Sequence, residues 1–513
     1  FYQAIFSTLL TLLLGLPGAY LMARYQFPGQ ALLRALTGVP FVLPTLVTAA
    51  AFSALLGPQG WINLGLMRLF NLAQPPIQFL YTLGAILLAH VFYNTTIVLR
   101  TVGDFWSHID PRLGQAAATL GATPRQALFK ITLPLLAPAV LTAALLVFIF
   151  DFTSFGVILV LGGPRFATLE VEIYNQTVSL FNLPVAAALA IIQLAFTLLL
   201  TIAYTRLSAR LARPLNLRPQ SYTRQRLVTP RQRLLAGAYI SLLVLLLVAP
   251  LAALATRSFT HLEFGARQPP GQQVSIAQNR SGLTLAYYQE LNANRRQSLF
   301  NKPPAYAVGV SLLYAAATVF LALLLGVPAA WALARQEYSW LNRVLDPLLM
   351  LPLGTSAVSL GLGMIIALNQ PPLRLIGSPW LIPLAHTLVA VPFVVRSLTP
   401  ALRSIRPRLR QAAASLGASP RQVFRAIDLP LAGRAILVAA AFAFTISLGE
   451  FGATAVLARP EFPTVPVAIY RLLGQPGALN YGQAMALSTI LMVVAVGCML
   501  AIERLRFADI GEF

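Results

Sequence analysis

Residues 115–134 read QAAATLGATPRQALFKITLP, and residues 411–430 read QAAASLGASPRQVFRAIDLP. They are one segment written twice. Gln115 pairs with Gln411, Gly121 with Gly417, Ile131 with Ile427 and Pro134 with Pro430, each 296 positions apart (430 − 134 = 296). A long internal repeat decides the architecture before any single residue does. Ala116, Ala117 and Ala118 favour helix. Gly121 follows Leu120 where a helix C-terminal cap wants glycine. Thr123 before Pro124 is an N-cap with proline at the first helical position, and Ser419 with Pro420 repeats it. The spacing predicts a short helix, a turn and a second short amphipathic helix, which Leu133-Pro134 and Leu429-Pro430 stop ahead of a long apolar run.

The surroundings place this basic unit between membrane spans. Of the 513 residues, 57% are hydrophobic and 10% charged, whereas soluble proteins average about 25% charged. The composition excludes a single soluble core and predicts an all-α polytopic membrane protein. The net charge of +22 reads as topology rather than nucleic-acid binding, because the arginines cluster in alternate loops. The single cysteine, Cys498, lies in an apolar run and excludes disulfides and thiolate metal sites.

A span needs about 20 apolar residues. Eleven stretches qualify: 4–23, 36–56, 81–99, 137–161, 184–204, 235–255, 306–334, 346–368, 380–398, 435–457 and 482–502. The reading divides the chain into a first repeat at 1–205 with its repeated segment within 112–136 and a linker at 206–234. A second repeat follows at 235–503, with its segment within 408–432, and then a tail at 504–513. The linker carries Arg206, Arg210, Arg213, Arg218, Arg224, Arg226, Arg231 and Arg233 and no acid, so it belongs in the cytoplasm. The polar stretch from Arg257 to Pro304 then lies outside.

The likeness extends beyond the repeated segment. Gly15-Leu-Pro17 through Arg24 matches Gly326-Val-Pro328 through Arg335 at an offset of 311; Ala89-His90 matches Ala385-His386, and Ile173-Tyr174 matches Ile469-Tyr470, at 296. The first half therefore carries about 15 extra residues (311 − 296), expected between Gly57 and Gln78. Both copies of the segment must face the cytoplasm, so the repeats are parallel, with a pseudo-twofold axis along the membrane normal. The sixth span has no partner in the first half. The pattern predicts two parallel six-helix repeats, with the first helix of repeat 1 ahead of residue 1.

The repeated segment resembles the "EAA" loop of ATP-binding-cassette importer permeases: E-A-A, three residues, G, nine residues, I-x-L-P. Both copies keep the spacing on Ala116, Ala117, Gly121, Ile131, Leu133 and Pro134, and on Ala412, Ala413, Gly417, Ile427, Leu429 and Pro430; Gln115 and Gln411 stand where the family has glutamate. The resemblance implies that the loops dock on an ATPase subunit and that the fold is that of type I importer permeases. It further implies partners: two copies of the ATPase carrying ATP and magnesium, and a periplasmic or lipoprotein substrate-binding protein. The chain itself then holds no cofactor and sits in a bacterial or archaeal plasma or inner membrane. Gly57-Pro-Gln-Gly-Trp61, Gly84 through Asn94, and Phe152 through Phe155 with Leu161-Gly-Gly-Pro164 and Thr168-Leu-Glu170 resemble thiamine permeases within a thiamine and ferric-iron group.

No catalytic motif is present. The chain has two lysines, Lys130 and Lys302, neither in a phosphate-cradling loop. Ionisable groups inside spans are functional candidates. Asp151 and Glu450 fall at near-equivalent places, with Ser154 aligned to Glu450 and Ser447 to Asp151. These four are candidates to line a translocation path; the alternative for the two carboxylates is that each caps a broken helix beside Gly156 or Gly452, or pairs with an arginine from a neighbouring span. His90 and His386 form a symmetric pair, best read as buried histidines bonded to a facing helix. Pro40, Pro44, Pro352 and Pro392 are expected to break or kink helices. Residues 162–168 and 459–464 end spans on the outer face, as turns or as contacts for a binding protein. A gradient-driven secondary transporter also explains the spans and acids, but not two matched cytoplasmic segments.

Overall fold

A computed structural model describes residues 1–110, 112–211, 225–260, 282–294, 301–335, 348–371, 375–405 and 407–507. Part of the linker (212–224), most of the outer polar stretch (261–281 and 295–300), the loop with Arg343, the start of the 346–368 span and the tail beyond 507 lie outside the described residues.

The described chain is almost wholly helical. The first repeat contains α1 (Tyr2–Arg24), α2 (Gln30–Val42), α3 (Thr45–Leu56), α4 (Trp61–Phe70), α5 (Leu83–Ser107), α6 (Arg112–Thr119), α7 (Pro124–Ala127), α8 (Leu133–Phe152), α9 (Gly156–Leu161), α10 (Leu169–Tyr174) and α11 (Leu183–Leu211). The second contains α12 (Pro230–Phe259), α13 (Ala286–Glu290), α14 (Tyr306–Arg335), α15 (Ala357–Leu368), α16 (Leu381–Ser404), α17 (Pro407–Ser415), α18 (Pro420–Val423), α19 (Leu429–Gly449), α20 (Gly452–Leu457), α21 (Val465–Leu473) and α22 (Ala478–Phe507). A two-residue parallel ladder pairs Tyr25-Gln26 with Gln225-Arg226.

Among the described residues nine helices are long and apolar enough to cross a membrane, and the pair α2 and α3–α4, bent by 109°, is a broken span or a re-entrant loop. That bend sits at Leu43-Pro44, one of the expected proline breaks. From residue 348 on, the expected 346–368 span is a helical turn at 348–350, a 3-10 turn at Leu351–Gly354 and then the short helix α15. Two further spans are interrupted. The stretch 137–161 breaks between α8 and α9, and 435–457 breaks between α19 and α20, each beside its acid. The extra residues of the first repeat lie where expected: 26 residues separate α3 from α5, against 12 between α15 and α16, and α4 fills the difference.

Two compact units form, and they do not follow the repeat boundaries. The first comprises residues 1–41, 51–171 and 192–253; the second comprises 42–50, 172–191 and 254–513. Most of α12, placed in the second repeat by sequence, therefore packs into the first unit, where the Tyr239 hydroxyl donates to the Leu14 carbonyl at 2.8 Å. Segment 172–191 of the first repeat packs into the second unit.

Each unit is built on the same three-helix core. In the first, α1, α5 and α8 enclose Ala19, Val98, Val102, Trp106, Leu136 and Ala143. In the second, α14, α16 and α19 enclose Ala322, Ala330, Val394, Leu398, Ala439 and Ala443. In lipid, helices associate through close backbone approach at small residues. Gly15 and Gly326 provide it: an added Cβ would come within 2.7 Å of Val98 in one unit and 2.5 Å of Val394 in the other.

Candidate functional site

The two repeated segments fold alike to the level of single hydrogen bonds. α6 ends in a Schellman cap: the Ala122 amide donates to the Ala117 carbonyl at 2.9 Å and the Gly121 amide to Ala118 at 3.0 Å. α17 ends identically, with Ala418 to Ala413 and Gly417 to Ala414, both at 3.0 Å. Such a cap needs a left-handed residue, and Gly121 and Gly417 both have φ +82°. The next helix opens with a capping box in each copy. Thr123 and Gln126 exchange bonds between side chain and backbone, as do Ser419 and Gln422.

One expectation is corrected. Leu133-Pro134 and Leu429-Pro430 do not stop the second helix. The chain runs on through a π-helical turn, Leu128–Thr132 in one copy and Phe424–Asp428 in the other, directly into α8 and α19. The wider turn places each proline at the next helix start, where its missing N–H costs nothing and its ring clears the preceding turn.

The surfaces match as well. Gln115, Ala116, Gly121 and Pro134 are exposed, Ala117 is buried, and Ile131 and Leu133 are half-buried. Gln411, Ala412, Gly417, Leu429 and Pro430 are exposed, with Ala413 and Ile427 half-buried. The residue before each glycine is the most notable feature: Leu120 and Leu416 are each 89% exposed. Sequence reasoning passed over these leucines. The available signal was an apolar residue held immediately before the capping glycine in both copies of an otherwise polar unit.

The supports beneath the surfaces differ. In the second copy, Asp428 is buried and accepts from Arg410 Nε at 2.7 Å and from Trp331 Nε1 at 3.1 Å. Trp331 also meets the Phe424 ring edge-on at 5.7 Å. The segment is thereby tied to α14. The equivalent positions in the first copy are Thr132, Gly114 and Tyr20, which cannot form the ion pair. Tyr20 instead packs against Trp106 and Tyr25. The partners of Asp428 stand 18 and 97 residues away, too far for any local pattern to announce them.

The intramembrane acids lie at the two helix breaks, each buried with the histidine of its own repeat. Asp151 Oδ1 accepts from Asn94 Nδ2 at 2.6 Å and lies 3.3 Å from His90 Nδ1, while His90 Nε2 meets Ser154 Oγ at 2.9 Å. In the second repeat, His386 Nδ1 meets Ser447 Oγ at 2.8 Å, and its Nε2 lies 3.2 Å from Glu450 Oε2 and 2.8 Å from Thr454 Oγ1. Both rings are thus oriented alike. Nδ1 faces position 151 or 447, and Nε2 faces position 154 or 450. Serine and carboxylate have exchanged places between the repeats. Glu450 also accepts from the amides of Ala453 and Thr454 at 2.8 and 3.0 Å, and so caps α20. The histidines are buried and bonded to the facing helix, as read from the sequence.

The family model for the binding-protein-dependent transport system inner membrane component matches residues 15–213 and 322–502. Similar curated proteins include the thiamine transport system permease protein ThiP of Brucella abortus (strain 2308), 29% identical over 507 residues, covering 98% of this chain and 86% of the relative. The proteins of the same name from Escherichia coli K12 (28% identical, 94% and 84% covered) and Haemophilus influenzae Rd (27%, 99% and 88%) are also similar.

Proposed function

The chain belongs to the inner membrane components of binding-protein-dependent transport systems, an ATP-binding-cassette importer permease, and from that premise we propose that it carries thiamine to the cytoplasm by alternating access. In this reading a binding protein outside hands over the substrate, and the work comes from two ATPase subunits that dock on the cytoplasmic segments. The chain is a transport component and not an enzyme, since ATP hydrolysis belongs to separate subunits.

The observation that carries the docking reading is the pair of matched segments. Each holds its turn open with a left-handed glycine and presents a leucine to solvent with 89% exposure. An exposed leucine on a rigid, capped turn is suited to enter a pocket on a partner, because its ordering cost is already met by the caps. Gln115 and Gln411, exposed on the preceding helices, offer hydrogen bonds in place of the family's charge. Thiamine is favoured over ferric iron because the similar proteins above are thiamine transport system permeases. The inner membrane is the location that the family name implies.

Asp151, Ser154, Ser447 and Glu450 are the proposed path-lining residues. Their present bonds run to their own repeat, so lining a path requires these networks to open with the helix breaks. The function is tested by expressing the permease with its ATPase and binding protein in a strain lacking thiamine uptake. ATP-dependent accumulation of labelled thiamine, lost when the ATPase is inactivated, is the expected result. Uptake of ferric iron but not thiamine would replace the substrate. Uptake that follows an ion gradient and ignores the ATPase would overturn the reading.

A further inference from the structure

The first repeat leaves its buried acid short of partners. Glu450 accepts from the amides of Ala453 and Thr454 at 2.8 and 3.0 Å and from the Thr454 hydroxyl at 2.6 Å. Asp151 is more deeply buried than Glu450, yet its near contacts fall on one oxygen. Oδ1 accepts from Asn94 Nδ2 at 2.6 Å and lies 3.3 Å from His90 Nδ1. The other oxygen, Oδ2, has no hydrogen-bond partner among the described residues. A carboxylate oxygen buried without a donor is costly in any protein interior, and the bilayer offers no water to relieve it.

The side chains of α1 add to the deficit. Gln3 and Ser7 lie four residues apart, so they share one face of the helix, and both are buried. Gln3 Nε2 donates to the Asp151 backbone carbonyl at 2.9 Å. That bond brings Gln3 to this residue and leaves its Oε1 without a donor. Position 7 is placed by the other repeat. There Ser447 Oγ donates to Thr318 Oγ1 at 3.2 Å, and these are the equivalents of Asp151 and Ser7 (447 − 296 = 151; 318 − 311 = 7). Ser7 accordingly faces the Asp151 carboxylate, without closing a hydrogen bond to it. Rotating the Ser7 hydroxyl supplies one proton for two acceptors, Asp151 Oδ2 and Gln3 Oε1, so one of them stays unmet.

The donor atoms restrict what can complete the set. All three are oxygens, the ligands that hard cations prefer. A water molecule would bond the acceptors but leave the carboxylate charge in the membrane interior. A cation answers both needs. The three oxygens carry one negative charge between them, so a monovalent ion brings them to neutrality and a divalent ion leaves an excess.

We propose that Gln3 Oε1, Ser7 Oγ and Asp151 Oδ2 bind one monovalent metal cation, which ties the broken end of α8 to α1. The second repeat has no counterpart. Tyr314, Thr318 and Ser447 stand at the three positions and carry no carboxylate, and Glu450 already has its donors. The site belongs to the chain alone and depends on neither the substrate nor the ATPase.

The test places the full chain in nanodiscs of neutral lipid, in a choline buffer free of potassium, and titrates it with radiolabelled sodium. One saturable sodium per chain is expected, displaced by unlabelled sodium and not by choline. Asp151→Asn keeps the shape, removes the charge and should abolish binding. Ser7→Ala should weaken it about tenfold, the worth of one bond to a charged partner. Glu450→Gln should bind sodium as the unaltered chain does. Infrared difference spectra, sodium minus choline, should show a carboxylate band that moves in the unaltered chain and is missing from Asp151→Asn. No saturable binding would overturn the site, as would binding that survives Asp151→Asn or is lost equally in Glu450→Gln. A protonated-acid band assigned to Asp151 in saturating sodium would overturn it too, by showing a proton where the cation is placed. If Asp151→Asn does not fold, Ser7→Ala, which removes a single buried hydroxyl, decides: unchanged sodium affinity there would contradict the site.

Discussion

At residue 121 and at residue 417 the backbone turns with the same φ, and the leucine before each turn has the same exposure. Behind these matching turns the two segments diverge. One rests on a buried Arg410–Asp428–Trp331 network, and the other has Gly114, Thr132 and Tyr20 at those places. The helix breaks repeat the lesson. Both repeats bring together one histidine, one serine and one carboxylate, but serine and carboxylate have traded positions. What each segment shows to solvent is alike in both halves; what holds it in place has found two solutions. A left-handed glycine has few substitutes, whereas a support or a satisfied buried polar group can be rebuilt from other side chains.

The comparison breaks most sharply if the two turns are unequal in use. Gly121→Arg together with Gly417→Arg forces a side chain into a left-handed backbone, at about 1–3 kcal/mol each, and places a long cation on the proposed docking face. Uptake should fall to background while the protein stays in the membrane. Normal uptake in the double variant would remove the docking assignment.

The unequal supports predict unequal costs. Asp428→Ala removes the carboxylate from Arg410, and because Arg410 keeps some solvent and its bond to the Leu402 carbonyl the cost sits near the lower end of about 3–5 kcal/mol. Hydrogen exchange at residues 420–428 should accelerate. Thr132→Ala at the equivalent place should stay within about 0.5 kcal/mol. Equal effects would mean that the buried network supports nothing.

Asp151→Asn with Glu450→Gln should impair uptake without releasing the ATPase, measured by uptake and co-purification side by side; unchanged uptake would leave both acids as structural. The smallest effect is expected for Asp151→Ser with Ser154→Glu, which gives the first repeat the arrangement of the second. If the two solutions are equivalent, uptake should change by less than about threefold, under 1 kcal/mol. Loss of folding would show that Asn94, which donates to the Asp151 carboxylate in the first repeat alone, makes the positions non-interchangeable.

Much of this was legible in the sequence because it is local. The Ala-Ala-Ala run, the glycine after it and the Thr-Pro or Ser-Pro step each specify their own few residues, and the structure follows them. The acids and histidines could be singled out because charge inside an apolar run is rare, but their bonding could not, since His90 and Ser154 are 64 positions apart. Leu133-Pro134 misled because proline normally ends a helix, and nothing in the sequence marks the π-helical turn that accommodates it. The packing of α12 into the first unit was equally hidden. One apolar helix face carries little information about which neighbour it meets when lipid surrounds all of them.

The central claim is that the two segments are equivalent docking sites, and the count of ATPase subunits tests it most directly. Native mass spectrometry of the purified complex, without ATP so that the subunits do not hold one another, should find two ATPase copies on the unaltered permease. It should find one on Gly121→Arg, one on Gly417→Arg and none on the double variant. Two copies retained by either single variant, or both lost from one single variant and none from the other, would contradict the account.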